Sequence, residues 1–220
     1  MRLSEYWNLR PGVIAVIGSG GKTTLLRTLG EELAAKHRVV LCTTTKILPF
    51  PGVPLARTAA ELAALGPRRL ICAGTPLPGT GKLTGPEIPL KALAERFDYV
   101  LVEADGAAGR PLKAHAPWEP VIPPEAARVL HVIGASGFGR PIARAAHRPE
   151  RYARLAGTAE TATASPETEA PVLLAEDLGG ALFLNQAETP ESLAQARALA
   201  RLMNRPVLAG SLWKGEYESC

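Results

Sequence analysis

The segment Val13-Ile-Ala-Val-Ile-Gly18-Ser19-Gly20-Gly21-Lys22-Thr23-Thr24 carries the strongest chemical signal in the chain. An apolar run enters a glycine turn, and Lys-Thr-Thr follows where a helix would begin. Glycines let backbone N–H groups converge on phosphate oxygens, and a helix N-terminus adds its positive dipole end. In such a loop Lys22 reaches the β- and γ-phosphates and the Thr23 hydroxyl ligates Mg²⁺. Gly18, Ser19, Gly20, Gly21, Lys22, Thr23 and Thr24 are therefore the expected nucleotide contacts, with Lys22 also catalytic. The longer phosphate loop has another glycine five positions before Gly21; Val16 stands there, so the match is to a shorter form.

A phosphate loop needs an acidic partner for the metal and the attacking group. Tyr99-Val-Leu-Val-Glu103-Ala-Asp105-Gly106 supplies one, an apolar run ending in two carboxylates two apart. Residues two apart on an extended strand share a face, so both can point into one site. One would hold Mg²⁺ and the other orient a nucleophile, which makes Glu103 and Asp105 expected metal ligands and catalytic groups. Thr43-Thr44-Thr45-Lys46 ends the preceding apolar run. Ligands gather at the carboxyl ends of strands in open α/β sheets, so Thr44 joins the expected metal shell and Lys46 the expected substrate contacts.

Further groups fall into two sets. Arg110, Lys113 and His115 lie just past the carboxylates, among Pro111, Pro117 and Pro120. Guanidinium and ammonium groups there would clamp an anionic second substrate or a partner. Arg148 or Arg140 would serve as an arginine finger over the nucleotide, with His147 beside it. Ala181-Leu-Phe-Leu-Asn185-Gln186-Ala187-Glu188 resembles the N-K-x-D motif with which many GTPases read guanine. It makes Asn185 and Glu188 expected base contacts, with Gln186 in place of the lysine that lies along the base.

The elements that must position these groups alternate. Apolar runs at 13–17, 39–42, 70–73, 99–102, 129–133, 181–184 and 206–209 read as seven buried strands. Leu25, Leu29 and Leu33 are spaced for one helix face over 23–36. Thr58-Ala-Ala-Glu61 reads as a capping box opening a helix to Leu65, and Thr189-Pro190 opens another to Met203. A helix is expected over 91–97, and a Gly- and Pro-rich loop over 74–89. The expected fold is α/β: a mostly parallel sheet of about seven strands covered by helices, P-loop NTPase-like, as a single domain over 1–220. A helical or irregular insertion or lid is expected at about 135–180.

Composition bounds the rest. The 220 residues are 46% hydrophobic and 21% charged, a balance that excludes a disordered chain and a fibre. No run of 18 apolar residues exists and no leader with an apolar centre opens the chain, so neither a membrane partner nor secretion is expected. The three cysteines are scattered, which suits a reducing compartment and a cytoplasmic protein. Cysteines and histidines lack metal-ligand spacing, against a permanent zinc site. The net charge of +4 invites nucleic acid. However, residues 1–110 carry 14 basic and nine acidic side chains, and residues 111–220 carry 11 and 12. Arg128, Arg140, Arg144, Arg148, Arg151 and Arg154 gather in one stretch, a local anion site or internal charge match. Aromatic residues are only 5%, which counts against nucleic-acid stacking.

The short loop G-S-G-G-K-T-T resembles that of the Mur ligases, and Glu-x-x-Gly at a strand end resembles the corresponding motif of metal-chaperone and signal-recognition GTPases. G-S-G-G-K-T-T, T-T-T-K, V-E-A-D-G-A-A-G-R-P-L-K, W-E-P-V-I-P, an H-R pair and L-N-Q-A-E occur in that order. Together they resemble the YqeC family over about residues 12 to 215, with E-A-D-G…P-L-K the most specific part. The resemblance implies a role in maturing selenium-containing molybdenum hydroxylases, with a hydroxylase or maturation protein as partner. The leading expectation is a Mg²⁺-dependent ATP- or GTP-using NTPase coupled to that maturation. The alternatives are a nucleotide-gated chaperone or insertase with little catalysis of its own, and a Mur-ligase-like phosphoryl-transfer enzyme acting on an anionic small molecule.

Overall fold

The structure, a computed structural model, describes residues 1–220. In chain order its elements are α1 (Leu3–Tyr6), β1 (Gly12–Gly18), α2 (Lys22–Ala34), β2 (Val39–Thr43), β3 (Leu55–Ala56) and α3 (Ala59–Ala64). There follow β4 (Leu70–Ala73), β5 (Thr75–Leu77), β6 (Lys82–Thr84), α4 (Leu90–Ala94), β7 (Tyr99–Glu103), β8 (Leu112–Lys113) and β9 (Ala126–Gly134). The remainder are α5 (Ile142–Ala145), β10 (Ala146–His147), α6 (Pro149–Leu155), α7 (Pro166–Glu176), β11 (Ala181–Asn185), α8 (Pro190–Met203), β12 (Val207–Ser211) and β13 (Glu216–Ser219). No helix is long and apolar enough to cross a membrane.

The chain divides into two compact units. The first comprises residues 1–17, 23–105 and 120–129. Its strands pair in parallel in the order β1-β7-β2-β4-β3, with Val16 and Thr43 both in register with Glu103. β1, β2 and β7 are continuous apolar runs because they are buried along nearly their whole length. Leu25, Leu26 and Leu29 of α2 are fully buried. Gly30 lets this helix approach β2: a Cβ there would stand 2.9 Å from Leu41 Cδ2. Thr58 caps α3 by accepting a hydrogen bond from Glu61 N, as its capping box requires.

The second unit comprises residues 18–22, 106–119 and 130–220. β9, β11 and β12 pair in parallel, and β13 returns antiparallel on β12. β8 and β10 form a small parallel pair of their own. The core gathers Leu112, Ile133, Ile142, Tyr152, Leu184 and Leu199. α8 runs from Pro190 to Met203 behind a Thr189–Ser192 capping box and ends on Asn204 in the left-handed region.

Five paired strands in the first unit and four in the second give nine, two more than the expected seven. The additional ones are β3 and β13, both terminal in their pairing order. β3 has only two residues, and β13 is the polar, half-exposed run Glu-Tyr-Glu-Ser, so neither shows the apolar run of a buried strand. The expected loop over 74–89 also contains a hairpin, β5 on β6. Short strands between glycines and prolines are masked by the turn signals around them.

Candidate functional site

The heptapeptide Gly18–Thr24 is strand end, loop and helix start, as its composition requires. Gly20 has φ +69°, and a Cβ there would come within 2.4 Å of Gly134 Cα. Gly21 has φ +133°, and its Cβ would come within 2.3 Å of Asn185 Nδ2. Both positions therefore need glycine for backbone conformation and for space. Ser19 N donates to Val132 O at 2.9 Å, and Ser19 Oγ donates to Pro111 O at 2.7 Å. Pro111 O also accepts from Gly134 N at 2.8 Å, so one carbonyl ties the loop to the end of β9. Lys22, 5% exposed, curls back to donate to Gly18 O at 2.7 Å.

Within the first unit the strand ends assemble a second set of oxygens. Thr23 Oγ1 donates to Glu103 Oε2 at 2.7 Å. Thr43 Oγ1 and Thr44 N donate to Glu103 O at 2.8 and 3.1 Å. Ala104 N donates to Val16 O at 2.9 Å. Thus α2 fixes the carboxylate of Glu103 and the end of β2 fixes its carbonyl, while β1 accepts from the next residue, Ala104. β7 stops at Glu103, so Asp105 is not on the strand face that alternation suggested; it lies in the following loop, fully buried. Thr44 Oγ1 is directed to Val121 O at 2.7 Å, and Lys46 is exposed. Thr24 is also exposed, on the first turn of α2.

The second unit treats the expected anion clamp differently. Arg110 is exposed and its guanidinium donates to Arg144 O, whereas Lys113 is buried. Lys113 Nζ contacts Gly106 O at 2.5 Å and Glu119 Oε2 at 2.9 Å. Arg148 Nη1 reaches the same Glu119 Oε2 at 2.7 Å. Burial pushes the Glu119 carboxyl up, but hydrogen bonds from Arg148 and Lys113, with their charges, outweigh it and hold it below its ordinary value. Arg148 sits at φ +61°, ψ +65°, a left-handed conformation that costs a non-glycine residue free energy. Arg140 is exposed, and His147, in β10, is half-buried with its carbonyl accepting from Ala114 N.

His115 belongs to a buried titratable chain. Its backbone N donates to Glu176 Oε1 at 2.5 Å, and its Nδ1 lies 2.7 Å from Glu176 Oε2. The His115 ring meets His131 edge to face at 5.7 Å, and a Cβ on Gly18 would lie 2.6 Å from His131 Cδ2. Tyr152 OH donates to Glu169 Oε2 at 2.7 Å. Burial, with a further push from the Glu176 charge, raises the Glu169 carboxyl to about 7, while Tyr152 and His115 oppose the rise.

At the end of β11, Asn185 braces the loop. Its Nδ2 donates to Gly20 O at 2.7 Å and its Oδ1 accepts from Leu212 N at 3.0 Å. Glu188 Oε1 accepts from Ser211 Oγ at 2.7 Å. Sequence reasoning missed Glu119, Glu169, Glu176 and Ser211. Glu119 lies in the W-E-P-V-I-P run and was discoverable there as the nearest acid to Lys113; Glu176 is 61 residues from His115 and carries no such signal.

A family model described as YqeC protein matches residues 14–150. The chain is also 33% identical to the Uncharacterized protein YqeC of Escherichia coli (strain K12) over 232 aligned positions, covering 95% of this chain and 89% of that protein. The matched span begins in β1, before the glycine loop, and runs past the Glu103 strand end, the Lys113–Glu119 pair and Arg148. On these matches the chain belongs to the YqeC family.

Proposed function

We propose that this protein binds a Mg²⁺-nucleoside triphosphate, ATP or GTP, hydrolyses it, and couples that cycle to maturation of the cofactor of a selenium-containing molybdenum hydroxylase. The carrying observation is the 2.7 Å hydrogen bond from Thr23, the residue after the loop lysine, to the strand-end carboxylate Glu103. A hydroxyl and a carboxylate are hard oxygen donors, and Mg²⁺ takes few such protein ligands beside phosphate oxygens. Thr23 and Glu103 therefore fit that ion, which would neutralise phosphate charge when bound. The glycine loop, with Cβ positions closed off at Gly20 and Gly21, fits a backbone cradle for phosphate. A phosphate oxygen offers Lys22 a stronger, charged acceptor than the Gly18 carbonyl it uses here. Asp105 is the second carboxylate, assigned to orienting the nucleophile. The maturation role rests on the family resemblance.

The Glu119 pair favours a second reading. Lys113 and Arg148 are both held by one carboxylate, so an anionic second substrate must compete with Glu119 for them. Basal turnover is then slow, and the chain acts as a nucleotide-gated chaperone until a partner or substrate draws Arg148 away. Calorimetry with MgATP and MgGTP, followed by single-turnover hydrolysis, tests both. Lys22→Ala should abolish tight nucleotide binding. Hydrolysis by the wild type above the Lys22→Ala level supports the NTPase; tight binding with no difference in turnover supports the chaperone. Equal nucleotide affinity in the two proteins would overturn both.

A further inference from the structure

Trp213 is 92% exposed, more than any other large hydrophobic side chain of the chain. It occupies the turn between β12 and β13, and that turn is tightly held. Gly215 N donates to Ser211 O at 2.9 Å, and Lys214 N donates to Ser211 Oγ at 3.1 Å. Ser211 Oγ donates in turn to Glu188 Oε1 at 2.7 Å, and Leu212 N to Asn185 Oδ1 at 3.0 Å. The turn is thus closed on Ser211, and Ser211 and Leu212, both before Trp213, tie it to the segment from Asn185 to Glu188 at the end of β11. That segment touches the phosphate loop: Asn185 Nδ2 donates to Gly20 O, and a Cβ on Gly21 would lie 3.6 Å from Leu212 Cδ1. An indole in water is ordinary on a flexible surface. Here it is presented by a fixed turn, one residue beyond a side chain packed at the loop.

The same segment lacks a group to cover a base. Gln186 stands where guanine readers place a lysine along the ring, but its side chain accepts from Ser136 Oγ at 2.6 Å. Glu188 offers an edge acceptor, not a face. An aromatic face on the β12–β13 turn, which is hydrogen-bonded to this segment, supplies what is missing.

We propose that Trp213 is the stacking platform for the purine base of the nucleotide whose phosphates lie against Gly18–Lys22. The proposal rests on the phosphate-loop reading above. Stacking tolerates any base with a π-face, so Trp213 gives affinity for the nucleoside end rather than choice between adenine and guanine. Lys214 follows it in the turn, with its Nζ 3.9 Å from Glu188 Oε2.

The test compares full-length wild type, Trp213→Ala and Trp213→Phe by calorimetry against MgATP, MgGTP and Mg²⁺-tripolyphosphate, which has the phosphates and no base. Trp213→Ala should weaken both nucleotides about tenfold, in the range of one base–aromatic stack, and leave tripolyphosphate unaltered. Trp213→Phe should retain most of the affinity. An unchanged melting temperature, expected for so exposed a side chain, excludes misfolding. Nucleotide affinity unaffected by Trp213→Ala, or an equal loss for tripolyphosphate, overturns the platform while leaving the phosphate loop in place. Failure of wild type to bind either nucleotides or tripolyphosphate overturns the phosphate loop and the platform together.

Discussion

Glu119 is the acceptor for Lys113, whose side chain is 1% exposed, and for Arg148. Removing one member of a buried pair leaves the other charge without compensation, which costs several kcal/mol. Glu119→Ala should therefore lower stability by roughly 3 kcal/mol in chemical denaturation. Glu119→Gln keeps the shape and should cost less. Because its carboxyl is held below the ordinary value, Glu119 stabilises the fold above that value and loses this contribution as pH falls through its lowered folded-state pKa. The Gln variant should be correspondingly less acid-sensitive than wild type as pH falls below the ordinary carboxyl range. Thr23→Val removes the donor to Glu103 at a cost of about 1 kcal/mol in stability. On the Mg²⁺ reading it should also abolish the Mg²⁺ enhancement of nucleotide binding, and a titration of MgATP against metal-free ATP reads this directly. Persistence of the full enhancement would remove Thr23 from the metal shell.

At the scale of elements, the loop and helices α2, α3 and α8 were legible because their signals are contiguous, whereas α1 and the short helices within 135–180 were not. Gly18–Thr24 names its own strand end, turn and helix start, and Thr189-Pro190 and Thr58 place α8 and α3 by capping chemistry. β3 and β13 were not legible, since a two-residue strand and a polar edge strand owe their existence to the neighbours that pair with them. The same physics limited the site. Thr23 and Glu103 sit at element ends that their own sequences define. Glu176 reaches His115 only through the packing of α7, and Trp213 takes its position from hydrogen bonds made by the residues on either side of it. The tight fit of the loop against β9 gives an element-scale prediction. Gly20→Ala would put a Cβ 2.4 Å from Gly134 Cα, backbone against backbone, with no flexible side chain to yield. It should displace the loop and weaken tripolyphosphate at least as strongly as Lys22→Ala does. Wild-type affinity for tripolyphosphate in Gly20→Ala would show that the loop conformation seen here is not the binding one.

Over the whole molecule, pH should act through a carboxyl far from the surface. Glu169 is fully buried on α7, with Tyr152 hydrogen-bonded to it and the charges of Glu176 and His115 acting on it. Its carboxyl is raised to about 7, chiefly by burial, from an ordinary value near 4.5. Between those values the folded protein keeps a proton that the unfolded chain releases, so unfolding releases protons and stability falls as pH rises. The loss begins near pH 4.5 and levels off above about pH 7, where both states are ionised. Its total is on the order of 3 kcal/mol, which at about 2–4 °C per kcal/mol is a visible shift in Tm. Glu169→Gln keeps an acceptor for the Tyr152 hydroxyl and carries no proton to release. The Tm of wild type should therefore decline relative to Glu169→Gln across pH 5 to 7.5, the gap widening with pH. Tyr152→Phe removes a hydrogen bond that lowers the Glu169 value, so it should carry the same decline to higher pH. A gap between wild type and Glu169→Gln that stays constant with pH would mean that Glu169 has the same proton affinity folded and unfolded, and that the buried chain from Tyr152 to His131 is pinned by packing rather than by charge.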